Sequence, residues 1–260
     1  MFSTFGGPPA AFVHKGGEGC HHSPRRLSME TKDHGNDEEV TLRTGFAPFD
    51  ELFGPFTSGE IHLMVGRTEL TNALMNRLIV NAARKGMYAY YADGGNRADP
   101  FAMAGILRMH REDPRGALQR VMIARAFTAY QMDTLINVNL GKLGEAPPLL
   151  LVSSLDSIFS DPEVDTDAAE GMLKNCMNSL DGMAAKGSCV VIAASGGSRG
   201  GDLLPLITPH CSAWVSLRSR QNGRVRIITK GGRWMDLSMV HPLQTMIDDF
   251  RALPAAAEAL

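Results

Sequence analysis

From residue 40 onward, short apolar runs alternate with stretches in which apolar side chains recur every three or four positions. Residues 60–65 (Glu60-Ile61-His62-Leu63-Met64-Val65) have the length and character of a strand, and residues 72–85 follow with helical spacing at Leu74, Leu78, Ile79 and Ala82. Strands over 87–92 and 121–124 then alternate with helices over 100–109 and 128–138. The continuous run Leu149-Leu150-Leu151-Val152, within 148–152, predicts a strand buried on both faces. A helix over 167–185 and a second buried strand over 189–194 come next. Strands separated by helix-length segments imply βαβ units, hence an α/β fold with a mostly parallel central sheet flanked by helices. The pattern changes near the end, where runs at 213–218 and 224–230 flank Ser219-Arg220-Gln221-Asn222-Gly223. Its Asn-Gly step is a strong hairpin signal, so the sheet is expected to finish antiparallel.

Composition sharpens this outline. Residues 1–38 are rich in Gly, Pro, His, Ser and charge, carry apolar residues without a period, and read as a disordered tail. Residues 39–240 read as the core domain and 241–260 as a C-terminal helix or tail; Met29, inside the first segment, offers a second translation start. Cys20-His21-His22, with His14 nearby, lacks the second spaced pair of a metal site and is assigned no ligand role. With 44% hydrophobic residues in 260, the chain can bury one sizeable core, and one domain plus a tail is the simpler reading. A net charge of −2 gives no global pull toward nucleic acid or anionic membrane, so any basic surface must be local. Cys20, Cys176, Cys189 and Cys211 are widely spaced without a C-x-x-C, which suits reduced thiols in a cytoplasmic protein. No run has the length of a membrane span, and no signal-peptide apolar segment is present.

The stretch with the most chemical content follows the first core strand. Gly66-Arg67-Thr68-Glu69-Leu70-Thr71-Asn72-Ala73 keeps the position and spacing of a phosphate-binding loop, G-x-x-x-x-G-K-[ST]. In such a loop backbone N–H groups cradle the phosphates, the lysine reaches the β/γ oxygens and the hydroxyl holds Mg²⁺. Here Thr71 stands for the second glycine, Asn72 for the lysine and Ala73 for the hydroxyl residue. The charge compensation and the Mg²⁺ anchor are both missing.

Several further blocks resemble those of RecA-type recombinases, in particular the archaeal and eukaryotic strand-exchange proteins and their paralogues. Thr44-Gly45-Phe46-Ala47-Pro48-Phe49-Asp50-Glu51-Leu52-Phe53-Gly54, followed by Ser58-Gly59-Glu60-Ile61, is similar to the family's lead into its P-loop. Tyr91 to Pro100 resembles its Y-I-D-T-E-G-x-F-x-P block, Ala124-Arg125-Ala126-Phe127 with Gln131 its A-R-A block, and Leu149 to Ser154 its Walker B strand. The resemblance spans about residues 41–236 and rests on the order and spacing of these blocks. It implies a RecA-like P-loop core, with Gly66, Arg67, Thr68, Thr71, Asn72 and Ala73 as its degenerate nucleotide loop.

The same resemblance marks what has been lost. The family's water-activating carboxylate falls at Gly95 and its Walker B aspartate at Ser153. With Asn72 and Ala73, that removes each element of phosphoryl transfer that can be placed, and implies a pseudo-ATPase with no required cofactor and at most weak ATP binding. Asp156, three residues past Ser153, reads more simply as a loop or helix-cap acid than as a displaced Walker B residue. Arg67 and Arg97 are cations that a phosphate would use, although solvated surface arginines are the default.

The family's DNA loops follow the strand equivalent to 189–194. The matching stretch here, Ser195 to Gly201, carries a single charge, Arg199, so strand exchange by this chain alone is not expected. Farther on, Arg218, Arg220, Arg224, Arg226, Lys230 and Arg233 come with no intervening acid, and alternate hairpin positions would gather several on one face. Such a strip would make salt-sensitive phosphate contacts, or would keep an edge hairpin soluble and unpaired. Trp214 and Trp234 flank it, as core packing or as base-stacking platforms. The acids Asp161, Glu163, Asp165, Asp167 and Glu170 are read as the capped start of a helix, with Asp165 or Thr166 as the N-cap. The resulting expectation is a recombinase-paralogue-like accessory or scaffold in DNA repair, with DNA, a recombinase or another repair protein, and other copies of itself as candidate partners. An unorthodox P-loop ATPase and a regulatory pseudo-ATPase unconnected with DNA are the alternatives.

Overall fold

The computed structural model describes residues 40–66, 69–196, 203–220 and 224–238. They belong to the second of two units into which the chain divides, Glu38–Leu260. That unit begins with a two-stranded antiparallel ribbon, β1 (Thr41–Leu42) on β2 (Phe56–Thr57), enclosing α1 (Ala47–Phe53). Asp50 explains the entry: its buried carboxylate accepts the Thr44 N–H at 2.9 Å, the Thr44 hydroxyl at 2.7 Å and the Gly45 N–H at 2.9 Å. Gly45 has φ +73°, a conformation glycine adopts without a Cβ penalty.

The chain then alternates strand and helix through β3 (Ile61–Val65), α2 (Glu69–Arg84), β4 (Ala89–Asp93), α3 (Pro100–Met109), α4 (Pro114–Leu118) and β5 (Val121–Arg125). It continues with α5 (Ala129–Asp133), β6 (Leu149–Ser153), α6 (Leu155–Phe159), α7 (Thr166–Ala185), β7 (Cys189–Ala194), α8 (Leu204–Ile207), β8 (Ala213–Ser219), β9 (Arg224–Thr229) and β10 (Trp234–Ser238). The eight-stranded sheet has the order β10-β9-β8-β3-β7-β6-β4-β5, parallel from β8 to β5. β9 runs antiparallel to both β8 and β10.

The two faces of the sheet bury separate cores. Met64, Tyr91, Leu151 and Val191 face Leu74 and Leu78 of α2 and Met103 of α3, while Leu63, Val152 and Ile192 face Leu173 and Leu180 of α7. β4, β6 and β7 are buried at every position, as strands covered on both sides must be. Helix starts follow capping chemistry: Asp99 accepts from the N–H groups of Phe101 and Ala102 at 2.9 and 3.0 Å, with Pro100 at the first position of α3. Asp165 accepts from Ala168 N–H at 3.1 Å at the start of α7, as expected for that acidic stretch.

The structure adds two features to the sequence reading. The helix expected over 128–138 changes winding, from α over Ala129–Asp133 to π over Thr134–Asn139. There the Asn137 amide donates to Asp133 Oδ1 at 2.7 Å and accepts from Ser179 Oγ of α7 at 2.6 Å, a polar contact that the wider turn accommodates. β10 extends the antiparallel end beyond a hairpin: Gly232, at φ +75°, sits in the turn after Lys230, and Met235 and Leu237 of the returning strand pack on the apolar core. The segment 195–202 after β7 is described only at Ser195 and Gly196.

Candidate functional site

The C-terminal ends of β3, β4, β6 and β7 open onto one cleft of about 130 Å³, lined among others by Gly66, Asn72, Tyr91, Arg97, Ser153 and Ser195. Residues that the resemblance assigned to a single site from distant parts of the chain therefore meet. Gly66 closes β3 with its N–H on Ala194 carbonyl oxygen at 2.8 Å, and a Cβ there would collide with the Leu217 carbonyl of β8. Glycine is required at this position by a close backbone approach. Thr71 lies in the first turns of α2 and donates its hydroxyl to the Gly66 carbonyl at 3.0 Å, tying helix to loop. Asn72 lines the cleft, while Arg67 and Thr68 lie outside the described residues.

Asp93, fully buried at the end of β4, organises the opposite wall. Its carboxylate accepts the N–H groups of Gly95, Arg97 and Ala98 at 3.3, 2.9 and 3.0 Å and the Ser153 hydroxyl at 2.8 Å. Arg125 Nε stands 3.7 Å away and its guanidinium also reaches the Ala98 carbonyl. These bonds fold residues 94–98 back over the sheet, carrying Arg97 to the cleft, where its charge acts on the Tyr91 phenol. Burial pushes that phenol well above its ordinary pKa, and a hydrogen bond with Ser153 opposes the shift. Gln131, from the A-R-A block, accepts the Phe127 N–H at 2.7 Å and caps α5 beside Thr128.

Side chains added at the two glycines after Asp93 would meet close neighbours, backbone at Gly94 and side chains at Gly95. A Cβ at Gly94 would sit 2.7 Å from the Ser153 carbonyl oxygen, and one at Gly95 would collide with Ser154 Oγ. Gly95 stands where the resemblance would put a water-activating carboxylate, and a side chain there would have to turn aside the Ser154 hydroxyl, on a residue with left-handed φ of 59°. Asp156 is buried in the first turn of α6 and neither caps that helix nor lines the cleft. It binds the chain after β7 instead, accepting the Ser195 and Gly196 N–H groups at 2.9 Å each and the Ser195 hydroxyl at 2.7 Å, while Ser157 donates to Ser195 Oγ at 2.8 Å.

The basic strip resolves into parts with different surroundings. Arg218 lies opposite Arg226 across β8 and β9, and Arg226 opposite Asp236 across β9 and β10. The Arg226 guanidinium binds both Asp236 oxygens, at 2.7 and 2.6 Å, and stacks 4.5 Å from the Trp234 ring centroid. Those bonds hold the Asp236 carboxyl below its ordinary pKa, helped by the charges of Arg220 and Arg224. Arg218, Arg220, Arg224 and Arg226 thus share one face. Lys230 and Arg233 diverge from it, toward the Ser212 and Leu52 carbonyls, and Arg199 lies outside the described residues. Of the tryptophans, Trp214 packs on the core and Trp234 is 59% exposed. The acid that partners Arg226 follows the basic run in sequence and returns beside it through β10, which is why the run looked uncompensated.

Elsewhere, Cys176, Cys189 and Cys211 are free and buried, and burial pushes each thiol up to about 12. Cys20, the neighbouring histidines, and residues 241–260 lie outside the described residues. Among the described residues no helix is long and apolar enough to cross a membrane. Compared with models of known protein families, the chain matches none, and a search of curated proteins likewise finds no match.

Proposed function

We propose that this chain is a RecA-type, recombinase-paralogue-like protein that serves as an accessory or scaffold in DNA repair and recombination without hydrolysing ATP. The observation that carries the reading is the convergence of Gly66, Asn72, Arg97 and Ser153 on one cleft at the strand ends, the place where open parallel sheets bind ligands. Motif order along the chain alone would not require that meeting.

The chemistry around the cleft supports the loss of turnover. Asn72 offers no cation where a lysine would reach the phosphates, and Ala73 offers no oxygen to Mg²⁺. Ser153 commits its hydroxyl to Asp93, and Asp93 is occupied by three backbone N–H groups, so neither is placed as a base toward the cleft. Among the described lining residues Arg97 is the basic side chain and Glu69 the acidic one, so the lining offers at most weak attraction to a nucleotide phosphate. A recombinase or another repair protein is the partner this reading calls for.

Phosphate release from Mg-ATP, with and without single-stranded DNA, is expected at background. Turnover that an Arg97→Ala change abolishes would replace this reading with that of an unorthodox ATPase. Anisotropy of labelled DNA is expected to show salt-sensitive binding that Mg-ATP leaves unchanged, and no binding even at low salt would remove DNA from the function.

A further inference from the structure

We infer that the face of the β8-β9-β10 meander carrying Arg218, Arg224, Arg226 and Trp234 is a single-stranded DNA interface in which bases lie against a preformed Trp234–Arg226 platform and the flanking arginines hold phosphates. The inference deepens the function proposed above and rests on it. Strand register supplies the geometry. Side chains alternate across a sheet, so Ser216 and Arg218 of β8, Arg224 and Arg226 of β9, and Trp234 and Asp236 of β10 project to one side. The intervening Val215, Leu217, Val225 and Ile227 project to the other side as part of the apolar core, with Met235 and Leu237 packed against it. One face therefore anchors the meander; on the opposite one Ser216 is buried and Arg226 half-buried, while Arg218, Arg220, Arg224 and Trp234 are exposed.

Charge on this face selects an anionic occupant. Among the described residues Asp236 is the acid on this face, and it is committed to Arg226 through two short hydrogen bonds. Arg226 consequently acts as a fixed plane. Its guanidinium is held over the indole, giving a flat, rigid, partly aromatic surface ready before any ligand arrives. The exposed guanidinium groups of Arg218 and Arg220 add positive charge beside it, and Arg224 lies at the next position of the same face of β9. A large exposed aromatic amid arginines matches single strands, whose unstacked bases offer π-faces, and does not match a duplex, whose bases are already stacked.

The test uses the full chain and fluorescein-labelled oligothymidylate, its duplex with oligoadenylate, and an abasic strand of equal length, measured by anisotropy over a salt series. The single strand is expected to bind most tightly, the duplex and the abasic strand about tenfold more weakly, the scale of one lost base stack. Trp234→Ala is expected to lower single-strand affinity about tenfold and Trp234→Phe to keep most of it. Arg218→Glu/Arg224→Glu is expected to reduce the slope of log K against log salt by roughly 1.4, two phosphate contacts' worth. Since the chain has two tryptophans, quenching of intrinsic fluorescence by the strand that disappears in Trp234→Phe places the contact on that ring. Matching thermal melts show that the variants are folded, and Trp234→Phe with the arginine pair serves if Trp234→Ala does not fold. DNA binding that these variants leave unchanged, or equal affinity for abasic and natural strands, overturns this interface alone. Absence of DNA binding by the unmodified chain overturns the DNA function with it.

Discussion

The Ser153 hydroxyl at the end of β6 donates to the Asp93 carboxylate at the end of β4 across 2.8 Å, joining two strands paired in register at that rung. Ser153→Ala is expected to lower unfolding free energy by about 2 kcal/mol, the scale of a hydrogen bond to a buried charge. Ser153→Asp, which places an acid at that position, is expected to cost more, because it sets a second carboxylate against the first. Urea unfolding of both variants checks the order; an aspartate variant as stable as the parent would show that the pair has room for another charge.

Gly94 and Gly105 make a matched comparison. A Cβ at Gly94 meets the Ser153 backbone carbonyl at 2.7 Å, whereas one at Gly105, inside α3, meets nothing within 4 Å. Gly94→Ala is expected to destabilise by about 2 kcal/mol through forced backbone shifts. Gly105→Ala is expected to stabilise by about 0.5–1 kcal/mol through helix propensity. Opposite shifts of melting temperature are the expected readout.

His62 sets a pH window. It is 2% exposed among Phe53 and Phe56, its Nε2 accepts the Thr57 N–H at 3.0 Å, and burial lowers its pKa to about 4. The unfolded chain thus binds a proton that the native state refuses between about pH 6.5 and 4. Stability is full above that window and falls as pH drops through it, by about 2 kcal/mol between pH 7 and 5. Denaturant midpoints across this range measure it, and in His62→Gln that part of the slope is expected to vanish.

Asp156 predicts a local effect. Asp156→Ala leaves the Ser195 and Gly196 N–H groups without their acceptor, at a cost of about 3 kcal/mol. Hydrogen exchange at those two amides is expected to quicken more than exchange in β7, and uniform acceleration would mean that the carboxylate acts on the whole sheet instead.

The alternating apolar pattern made the parallel sheet and its main helices legible, because period and run length are local properties. Resemblance placed Gly66, Asn72 and Ser153, but the saturation of Asp93 depends on a fold-back of residues 95–98 and on a strand contributed by distant sequence. Asp156 read as a local cap because its partners, Ser195 and Gly196, follow a whole helix and strand later. β10 left a usable signal, the Gly231-Gly232 turn followed by alternating Trp234-Met235-Asp236-Leu237. Missing that strand also hid the acid facing Arg226. The π turn at Thr134–Asn139 left none, since a one-residue change in winding preserves the apolar spacing over so short a segment.

The central place of β3 carries a consequence for biosynthesis. Its neighbours are β7 and β8, so Ile61 waits for Val190 and His62 for Ala213 before either backbone ladder can form. An apolar strand that leaves the ribosome early and is sheltered late makes completion of the sheet a long-range, slow event. A chain interrupted before Cys189 would present Ile61–Val65 with both edges open, the form in which a strand most readily pairs with the wrong molecule.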